Sequence, residues 1–128
     1  ARAGLAPDAT LPLEALLWPL SREGLTEERL ATVDRVLGAS RSPRRAAFHA
    51  QLKLEIYGAA GLVERARPVL LELLRMPFLD HAWFDGCPAL ESLRGVPELA
   101  ALRAATAERA ARVCEVLDAG TSALDARA

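Results

Sequence analysis

Apolar residues recur at intervals of three and four positions along most of the chain, and no useful stretch alternates apolar and polar residues. An interval of this kind places side chains on one side of an α-helix, whereas a strand needs a period of two. The sequence also contains 26 alanines and 23 leucines among 128 residues, a composition that favours helices. The pattern therefore predicts an all-α protein.

Two helices are predicted before residue 40. Thr10 is a suitable N-cap for a short helix from 11 to about 20, and Thr26 is a suitable N-cap for a second helix. Gly38 is expected to end the second helix in a left-handed conformation. The side chains expected to be buried are Leu13, Leu16, Leu17 and Trp18 in the first helix and Leu30, Val33, Val36 and Leu37 in the second.

The central part of the chain predicts a pair of helices. Ser42 caps a third helix that has proline at its first position, and Gly58 and Gly61 bracket the turn into a fourth helix that runs to about residue 75. Pro68 argues for a late or irregular start of the fourth helix, because its ring displaces a backbone hydrogen bond. The apolar face of the third helix is expected to contain Phe48, Leu52, Ile56 and Ala59.

Prolines and glycines interrupt the stretch from 77 to 96, which leaves room only for one-turn helices over 82 to 85 and 88 to 93. Pro97 then opens the last helix, which is predicted to reach about Leu117. The apolar stripe of this helix comprises Leu99, Leu102, Thr106, Ala110, Val113 and Leu117.

Short connections make consecutive helices antiparallel neighbours, and both faces of the central pair are apolar. A solenoid needs this property, because each hairpin buries its flanks against the adjacent hairpins. We therefore predict stacked antiparallel helical hairpins closed by a long C-terminal capping helix. Residues 10 to 118 are expected to form a single domain, with frayed ends at 1 to 9 and 119 to 128.

Basic and acidic residues are interleaved, and the net charge is −1. Nucleic acids and membrane surfaces require a broad basic patch, so neither is an expected partner. The sequence also lacks a membrane-spanning run and a signal peptide, which predicts a cytoplasmic location. The start at Ala1 suggests a piece of a longer protein. Cys87 and Cys114 are expected to be reduced thiols, with Cys114 a small core residue.

The densest group of potential metal ligands consists of Asp80, His81, Asp85 and Cys87. Zinc sites favour Cys and His pairs at short regular spacing, so we expect these residues to act in capping and packing, with metal binding as the alternative. His49 is expected to be a surface or half-buried structural histidine. No catalytic pair and no glycine-rich phosphate loop occurs in the sequence, so no catalytic residue and no cofactor are predicted.

Seven side chains are candidates for contact with a partner. Arginines of the central helix pair can gather at one end and bind an acidic peptide or a phosphate, although a solvated basic face is the alternative. Tryptophans anchor a partner when exposed and pack in the core otherwise. The candidates are Arg41, Arg44, Arg45, Arg65, Arg67, Trp18 and Trp83.

Two stretches resemble the tetratricopeptide-like regions at the C-terminal ends of large bacterial signalling proteins. In the first, Tyr57, Gly61, Ala66 and Leu70 match the aromatic residue of helix A, the turn glycine, and the small and large residues of helix B. Lys53 and Pro77 depart from that pattern. The second stretch is similar to the closing segment of such arrays, and the residues that carry the similarity are Asp80, Trp83, Cys87, Pro88, Leu90, Leu93, Arg94, Pro97, Leu99 and Leu102. It departs from that segment at Val96, where Asp is expected, and at Glu98 and Leu99, where Arg and Phe are expected; Leu99 matches only as a bulky apolar residue.

The resemblance covers about residues 42 to 118. It implies a stacked-hairpin interaction module with its terminal cap, attached to an enzyme or a DNA-binding domain of a serine/threonine kinase, adenylate cyclase or transcriptional activator. We therefore expect a non-catalytic scaffolding module that binds a protein, a peptide or another domain of its parent chain. A small-molecule or metal-responsive sensory domain and a structural cap or dimerisation element remain alternatives.

Overall fold

A computed structural model describes residues 11 to 127, which are mostly helical and contain no strand. The predicted all-α class is confirmed for this part of the chain. The predictions for residues 1 to 9 and for the Thr10 cap lie outside it. The α-helices are α1 (Leu11–Ala15), α2 (Glu27–Val36), α3 (Pro43–Ala59), α4 (Val63–Leu74), α5 (Ala82–Gly86) and α6 (Pro97–Asp125), and two 3-10 helices cover Trp18–Leu20 and Pro88–Leu93.

Side-chain caps begin α2 and α3, as predicted. The Thr26 hydroxyl accepts a hydrogen bond of 3.3 Å from the Arg29 amide, and the Ser42 hydroxyl accepts one of 3.4 Å from the Arg45 amide. Each cap satisfies an amide of the first turn that has no carbonyl partner within the helix.

Gly38 does not adopt the left-handed conformation that we predicted for the end of α2. In the part of the chain that the structure describes, only Gly24 and Gly61 have positive φ angles, of 64° and 70°. α2 ends instead through Leu37, whose amide donates to the Val33 carbonyl at 2.9 Å. The left-handed residue occurs at Gly61, in the turn between α3 and α4, where a side chain would strain the backbone.

The segment before α2 also differs from the prediction. A one-turn α1 and a separate 3-10 helix replace the continuous helix, because Pro19 lacks the amide that a continuing α-helix needs. Leu13 and Leu17, which we expected to be buried, are 63% and 64% exposed. Leu16 and Trp18 are partly buried against the core, as predicted.

α3 is the central helix and packs against α4 and against the second 3-10 helix. Its predicted buried face is correct at Leu52 and Ile56 but wrong at Phe48, which is 52% exposed, and at Ala59, which is also exposed. The core covers two other sides of α3, so the face through Phe48 and Ala59 stays open to solvent.

α4 begins at Val63, so the late start that we predicted from Pro68 is wrong. Proline inside a helix removes the amide that would bond to the Glu64 carbonyl, a loss of about 3 kcal/mol. Ala66 and Leu70 are fully buried in the same helix. Their burial offsets the missing hydrogen bond and keeps α4 regular.

The second 3-10 helix crosses α3 at Gly58. A Cβ atom at this position would lie 2.2 Å from the Ala89 carbonyl oxygen, which no real side chain tolerates. The Ser92 hydroxyl donates a hydrogen bond of 2.6 Å to the Gly58 carbonyl. Gly58 therefore lies inside α3 and permits the close approach of two backbones, rather than marking the turn as we predicted.

α6 begins at Pro97, as predicted, and extends to Asp125, which is beyond the predicted end at Leu117. In its first part Leu102 has no solvent exposure. Val113, which we expected on the buried stripe, is 42% exposed and Leu117 is 63% exposed. The predicted stripe is thus correct only in the first part of the helix.

Arg109 marks the point where α6 leaves the rest of the protein. Its guanidinium donates hydrogen bonds to the carbonyls of Leu74 and Met76, at the end of α4. α4 packs against α6 but ends at Leu74, so no element of the described chain continues beside α6. We call 97 to 110 the covered half of α6 and 111 to 125, where every residue is exposed, the projecting half.

Candidate functional site

The five candidate arginines lie at two ends of the central helix pair. α3 and α4 run in opposite directions from the turn that joins them, and α3, with 17 residues, is about 25 Å long. The candidates at the first end are Arg41, Arg44 and Arg45, and those at the turn end are Arg65 and Arg67. The structure therefore does not gather the five arginines into one site.

The two arginines at the turn end contact acidic residues of other helices. Arg65 lies 3.9 Å from Asp34 and 3.8 Å from Glu27, both in α2. Arg67 donates hydrogen bonds of 2.8 and 3.1 Å to Glu98 in α6, and these bonds lower the pKa of the Glu98 carboxyl below its ordinary value of 4.5. These arginines connect helices and leave little positive charge for a partner.

The three arginines at the start of α3 are in a different situation. Arg41, Arg44 and Arg45 are exposed, and none forms an ion pair with a carboxylate of the described residues. Positive charge without an internal partner is available to an acidic ligand. This end of the helix pair is therefore basic.

An open cleft of about 730 Å³ lies beside the basic end, between the first half of α3 and the loop that follows α4. The apolar surface of this cleft includes the exposed side chains of Phe48 and Leu79, which are 52% and 44% exposed. Its lining residues are Ser42, Pro43, Arg44, Ala47, Phe48, Gln51, Pro77, Phe78, Leu79 and Asp80.

A second cleft, of about 430 Å³, lies at the other end of the same face of α3. It is mostly apolar, and its lining residues are Leu16, Leu20, Glu55, Ala59, Pro88 and Ala89. Arg44, Phe48, Gln51, Glu55 and Ala59 recur at intervals of three and four residues, so they follow one side of the helix. We call this face with its two clefts the α3 groove.

The two candidate tryptophans are not exposed anchors. Trp83 is 8% exposed, and its indole nitrogen donates a hydrogen bond of 2.8 Å to Glu55. Its ring packs edge to face against Phe78 and Phe84, with centroids 5.6 and 5.1 Å away. Trp18 is half-buried, with the guanidinium of Arg29 over its ring at 5.4 Å.

The side chains of the Asp80 to Cys87 segment contact different partners. Asp80 accepts a hydrogen bond from the amide of Trp83 in α5, and Asp85 accepts two, of 3.0 and 2.8 Å, from Arg103. The bonds from Arg103 lower the pKa of Asp85. Within residues 11 to 127 no group of three or more His, Cys, Asp and Glu side chains is placed to hold a metal ion.

Of the other two potential metal ligands in this segment, His81 is exposed and Cys87 is partly buried against the core. The second cysteine, Cys114, is exposed in the projecting half of α6, so the prediction that it is a core residue is wrong. The reason is that no element within residues 11 to 127 covers α6 at this level. His49 is half-buried, as predicted, with its Nδ1 3.0 Å from the Gly38 carbonyl oxygen.

A third cleft, of about 460 Å³, lies next to His49, between the end of α2, the first half of α3 and the end of α4. Its charged residues are Lys53, Glu72 and Arg75, and none of them forms an ion pair with another described residue. Its apolar floor consists of Leu37, Ala46, Ala50 and Met76.

Two residues of the α3 groove, Phe48 and Leu79, were not among the predicted partner-binding residues. Phe48 was assigned to the core because it falls on an apolar series. A signal was nevertheless present, since the polar residues Arg44, Gln51 and Glu55 share its side of the helix. A mixed face of this kind indicates a helix side that stays in contact with water.

No helix in the described range of 11 to 127 combines the length and the apolar character needed to cross a bilayer. Comparisons with protein-family models, with curated proteins and with solved structures found no significant match.

Proposed function

We propose that the chain is a non-catalytic protein interaction module, and that the α3 groove binds an acidic peptide segment bearing a large apolar side chain. The observation that carries this proposal is the pair of exposed apolar residues, Phe48 and Leu79, beside Arg44, which pairs with no carboxylate of the described residues. The segment belongs to a partner protein or to another domain of the parent chain.

The apolar residues and the arginines are expected to contribute to the binding free energy in different ways. Contact with Phe48 and Leu79 removes apolar surface from water, which is the main source of affinity at such interfaces. Arg41, Arg44 and Arg45 attract acidic residues, and this contribution weakens as salt screens it. Acidic peptides without an apolar residue, and apolar peptides without acidic residues, are therefore expected to bind less tightly.

The proposed architecture is a set of stacked hairpins of the tetratricopeptide type. In support, α3 packs against α4 across a short turn, and α4 packs against α6. The resemblance of residues 42 to 118 adds the context of a larger cytoplasmic signalling protein from a bacterium. In such an arrangement the first helices of the hairpins line the surface that binds partners, and α3 is one of them.

Fluorescence anisotropy with a labelled peptide tests the proposal. The probe is Glu-Asp-Leu-Glu-Asp-Phe-Glu-Asp, and the comparison peptide replaces every acidic residue with lysine. We expect saturable binding of the acidic probe that weakens with added salt, and no binding of the basic peptide. Hydrogen exchange of the complex should slow in the first half of α3 and in the loop from 77 to 80.

Matched variants locate the site. Phe48→Ser and Arg44→Glu should each weaken binding of the acidic probe at least about tenfold, which corresponds to about 1.4 kcal/mol. Leu124→Ser and Arg112→Glu remove the same kinds of side chain from the projecting half of α6 and should leave affinity unchanged. Binding that survives Phe48→Ser, or no binding of the acidic probe at millimolar concentration, would contradict the proposal.

A small-molecule site is a second candidate function, favoured by the third cleft. Lys53 and Arg75 are suited to a carboxylate, Glu72 to an ammonium group, and the apolar floor to a hydrocarbon side chain. A zwitterion such as leucine matches all three requirements. Leucine should therefore raise the melting temperature more than N-acetylleucine or leucinamide, and Lys53→Gln should reduce its advantage over leucinamide, which lacks the carboxylate. Equal effects of the three compounds would exclude this candidate.

A further inference from the structure

We propose that the projecting half of α6 is a homodimerisation surface, which pairs with the same segment of a second copy in antiparallel orientation. The surface is separate from the α3 groove, so the two proposals stand or fall independently.

The projecting half carries large apolar side chains that nothing in the described chain covers. Val113 is 42% exposed, Leu117 is 63% exposed and Leu124 is 69% exposed. Together with Gly120 they recur at intervals of four, three and four residues, so they form one stripe along the helix. The stripe continues the row of buried residues in the covered half, and the row loses its partner where α4 ends.

No described element supports the helical conformation of the projecting half. Residues 111 to 125 correspond to about four turns, a length at which an isolated helix is marginal in water. Gly120 and Thr121 lie near the middle of this segment, and both are weak helix formers. Burial of the stripe against a second helix would stabilise the helical conformation.

The order of large and small residues in the stripe matches a reversed copy of itself. In an antiparallel pair centred between Leu117 and Gly120, Leu117 of each copy faces Gly120 of the other, and Val113 faces Leu124. No atom lies within 4 Å of the position where Gly120 would carry a Cβ, so this site has room for a leucine. A parallel pair would place glycine opposite glycine and leave a gap, which close packing disfavours.

The charges around the stripe favour a second copy over a charged partner. Within residues 111 to 125, the residues that flank the stripe are Cys114, Val116, Thr121 and Ala123, and all are uncharged. At 100° per residue, Glu115 and Asp118 lie on the opposite side of the helix. Arg112 forms an ion pair with Glu108 of its own helix. Along residues 111 to 125 a second identical stripe therefore meets no like charge, whereas a highly charged partner would find no complementary side chain on it.

Sedimentation equilibrium of the 128-residue chain tests the proposal. Between about 1 µM and 1 mM protein, the weight-average mass is expected to rise from 13.7 kDa towards twice that value. Leu117→Glu should hold the protein at the monomer mass across this range. The matched control is Leu79→Glu, which places the same charge on an exposed leucine of the α3 groove and should dimerise as the natural chain does.

Gly120→Leu distinguishes specific antiparallel pairing from nonspecific hydrophobic association. The substitution adds apolar surface and a better helix former, so undirected association or parallel pairing would tighten. In the antiparallel pair it places leucine against Leu117 of the second copy, so we expect dimerisation to weaken at least about tenfold. Circular dichroism of each variant checks that the domain remains folded.

Disulfide crosslinking reports the orientation. In a background with Cys87→Ser and Cys114→Ser, a mixture of Val113→Cys and Leu124→Cys chains should crosslink between the two variants much faster than either variant crosslinks with itself. A constant monomer mass, a dimer that persists in Leu117→Glu, or faster self-crosslinking of the single variants would each overturn the proposal.

Discussion

The covered and projecting halves of α6 belong to one helix and carry one apolar stripe, yet their surroundings are opposite. Leu102 in the covered half has no solvent exposure, whereas Leu117 in the projecting half is 63% exposed. The difference arises outside α6, because α4 lies beside the first half and ends before the second begins. An apolar period thus specifies a helix and a side, and the length of the neighbouring element decides whether that side is covered.

A pair of leucine substitutions should give the largest contrast between the two halves. Leu102→Ala is expected to lower the free energy of unfolding by about 2 to 5 kcal/mol, because it leaves a cavity in a closed core. Leu117→Ala should change it by less than about 0.5 kcal/mol in the monomer. Urea denaturation at a protein concentration below dimerisation measures both, and equal losses would show that the projecting half is packed against the domain.

Two glycines provide the next contrast. Gly58→Ala forces a methyl group against the Ala89 carbonyl and should cost about 1 to 3 kcal/mol or more. Gly120→Ala has open space around it and replaces a poor helix former, so it should raise stability by up to about 1 kcal/mol. Thermal denaturation, monitored by circular dichroism, should show a lower melting temperature for Gly58→Ala and a higher one for Gly120→Ala. A neutral Gly58→Ala would mean that α3 and the second 3-10 helix can separate at little cost.

Two threonines bond to the carbonyl four residues earlier, one in each half. Thr106 is fully buried and donates to the Leu102 carbonyl at 2.8 Å, and Thr121 is exposed and donates to the Leu117 carbonyl at 3.0 Å. Thr106→Ala should lower the free energy of unfolding by about 1 kcal/mol, through a lost hydrogen bond and lost packing. Thr121→Ala should change it by a few tenths of a kcal/mol, towards greater stability. Similar losses of unfolding free energy in the two variants, measured by chemical denaturation, would contradict the difference between the buried and the exposed threonine.

The smallest expected effect is a pH dependence that arises from two ion pairs made by residues of the covered half, Arg103 with Asp85 and Glu98 with Arg67. Arginines lower the pKa of Asp85 and of Glu98 below their ordinary values of 3.8 and 4.5. A lowered pKa in the folded state adds stability above the ordinary value, and this stability is lost as pH falls through the folded value. The melting temperature should therefore drop in acid below about pH 4.5.

Carboxyl variants identify the source of that acid sensitivity. Asp85→Asn together with Glu98→Gln should make the melting temperature less dependent on pH in the acid range. The matched control is Glu108→Gln, whose carboxylate pairs with Arg112 at the exposed end of the covered half. An unchanged pH profile in the double variant would assign the acid sensitivity to other carboxyl groups.

Local signals predicted much of the secondary structure. The caps at Thr26 and Ser42 and the start of α6 at Pro97 agree with the structure, because each depends on a few neighbouring residues. The two one-turn helices between α4 and α6 were also predicted, over 82 to 85 and 88 to 93, from the prolines and glycines that limit them.

The errors concern properties that depend on distant parts of the chain. Pro68 is tolerated within α4 because buried neighbours hold the helix in place, which no local rule takes into account. Phe48 was assigned to the core by periodicity and Cys114 by its small apolar side chain, whereas the positions of other elements leave both exposed. The α3 groove could be predicted only in part, because Leu79 enters it from a loop whose path depends on the tertiary structure.

The hydrogen bonds from Arg109 to the end of α4 have a mechanical consequence. Beyond the hydrogen bonds of Arg109, α6 continues for 16 residues, an arm of about 24 Å. A tilt of about 10° at Arg109 would move the tip at Asp125 by about 4 Å, and a force on the tip would act on α4 with the leverage of the whole arm. A load at the far end of α6 is thus transmitted to the carbonyl of Leu74, the last residue of α4, and to that of Met76 just beyond it.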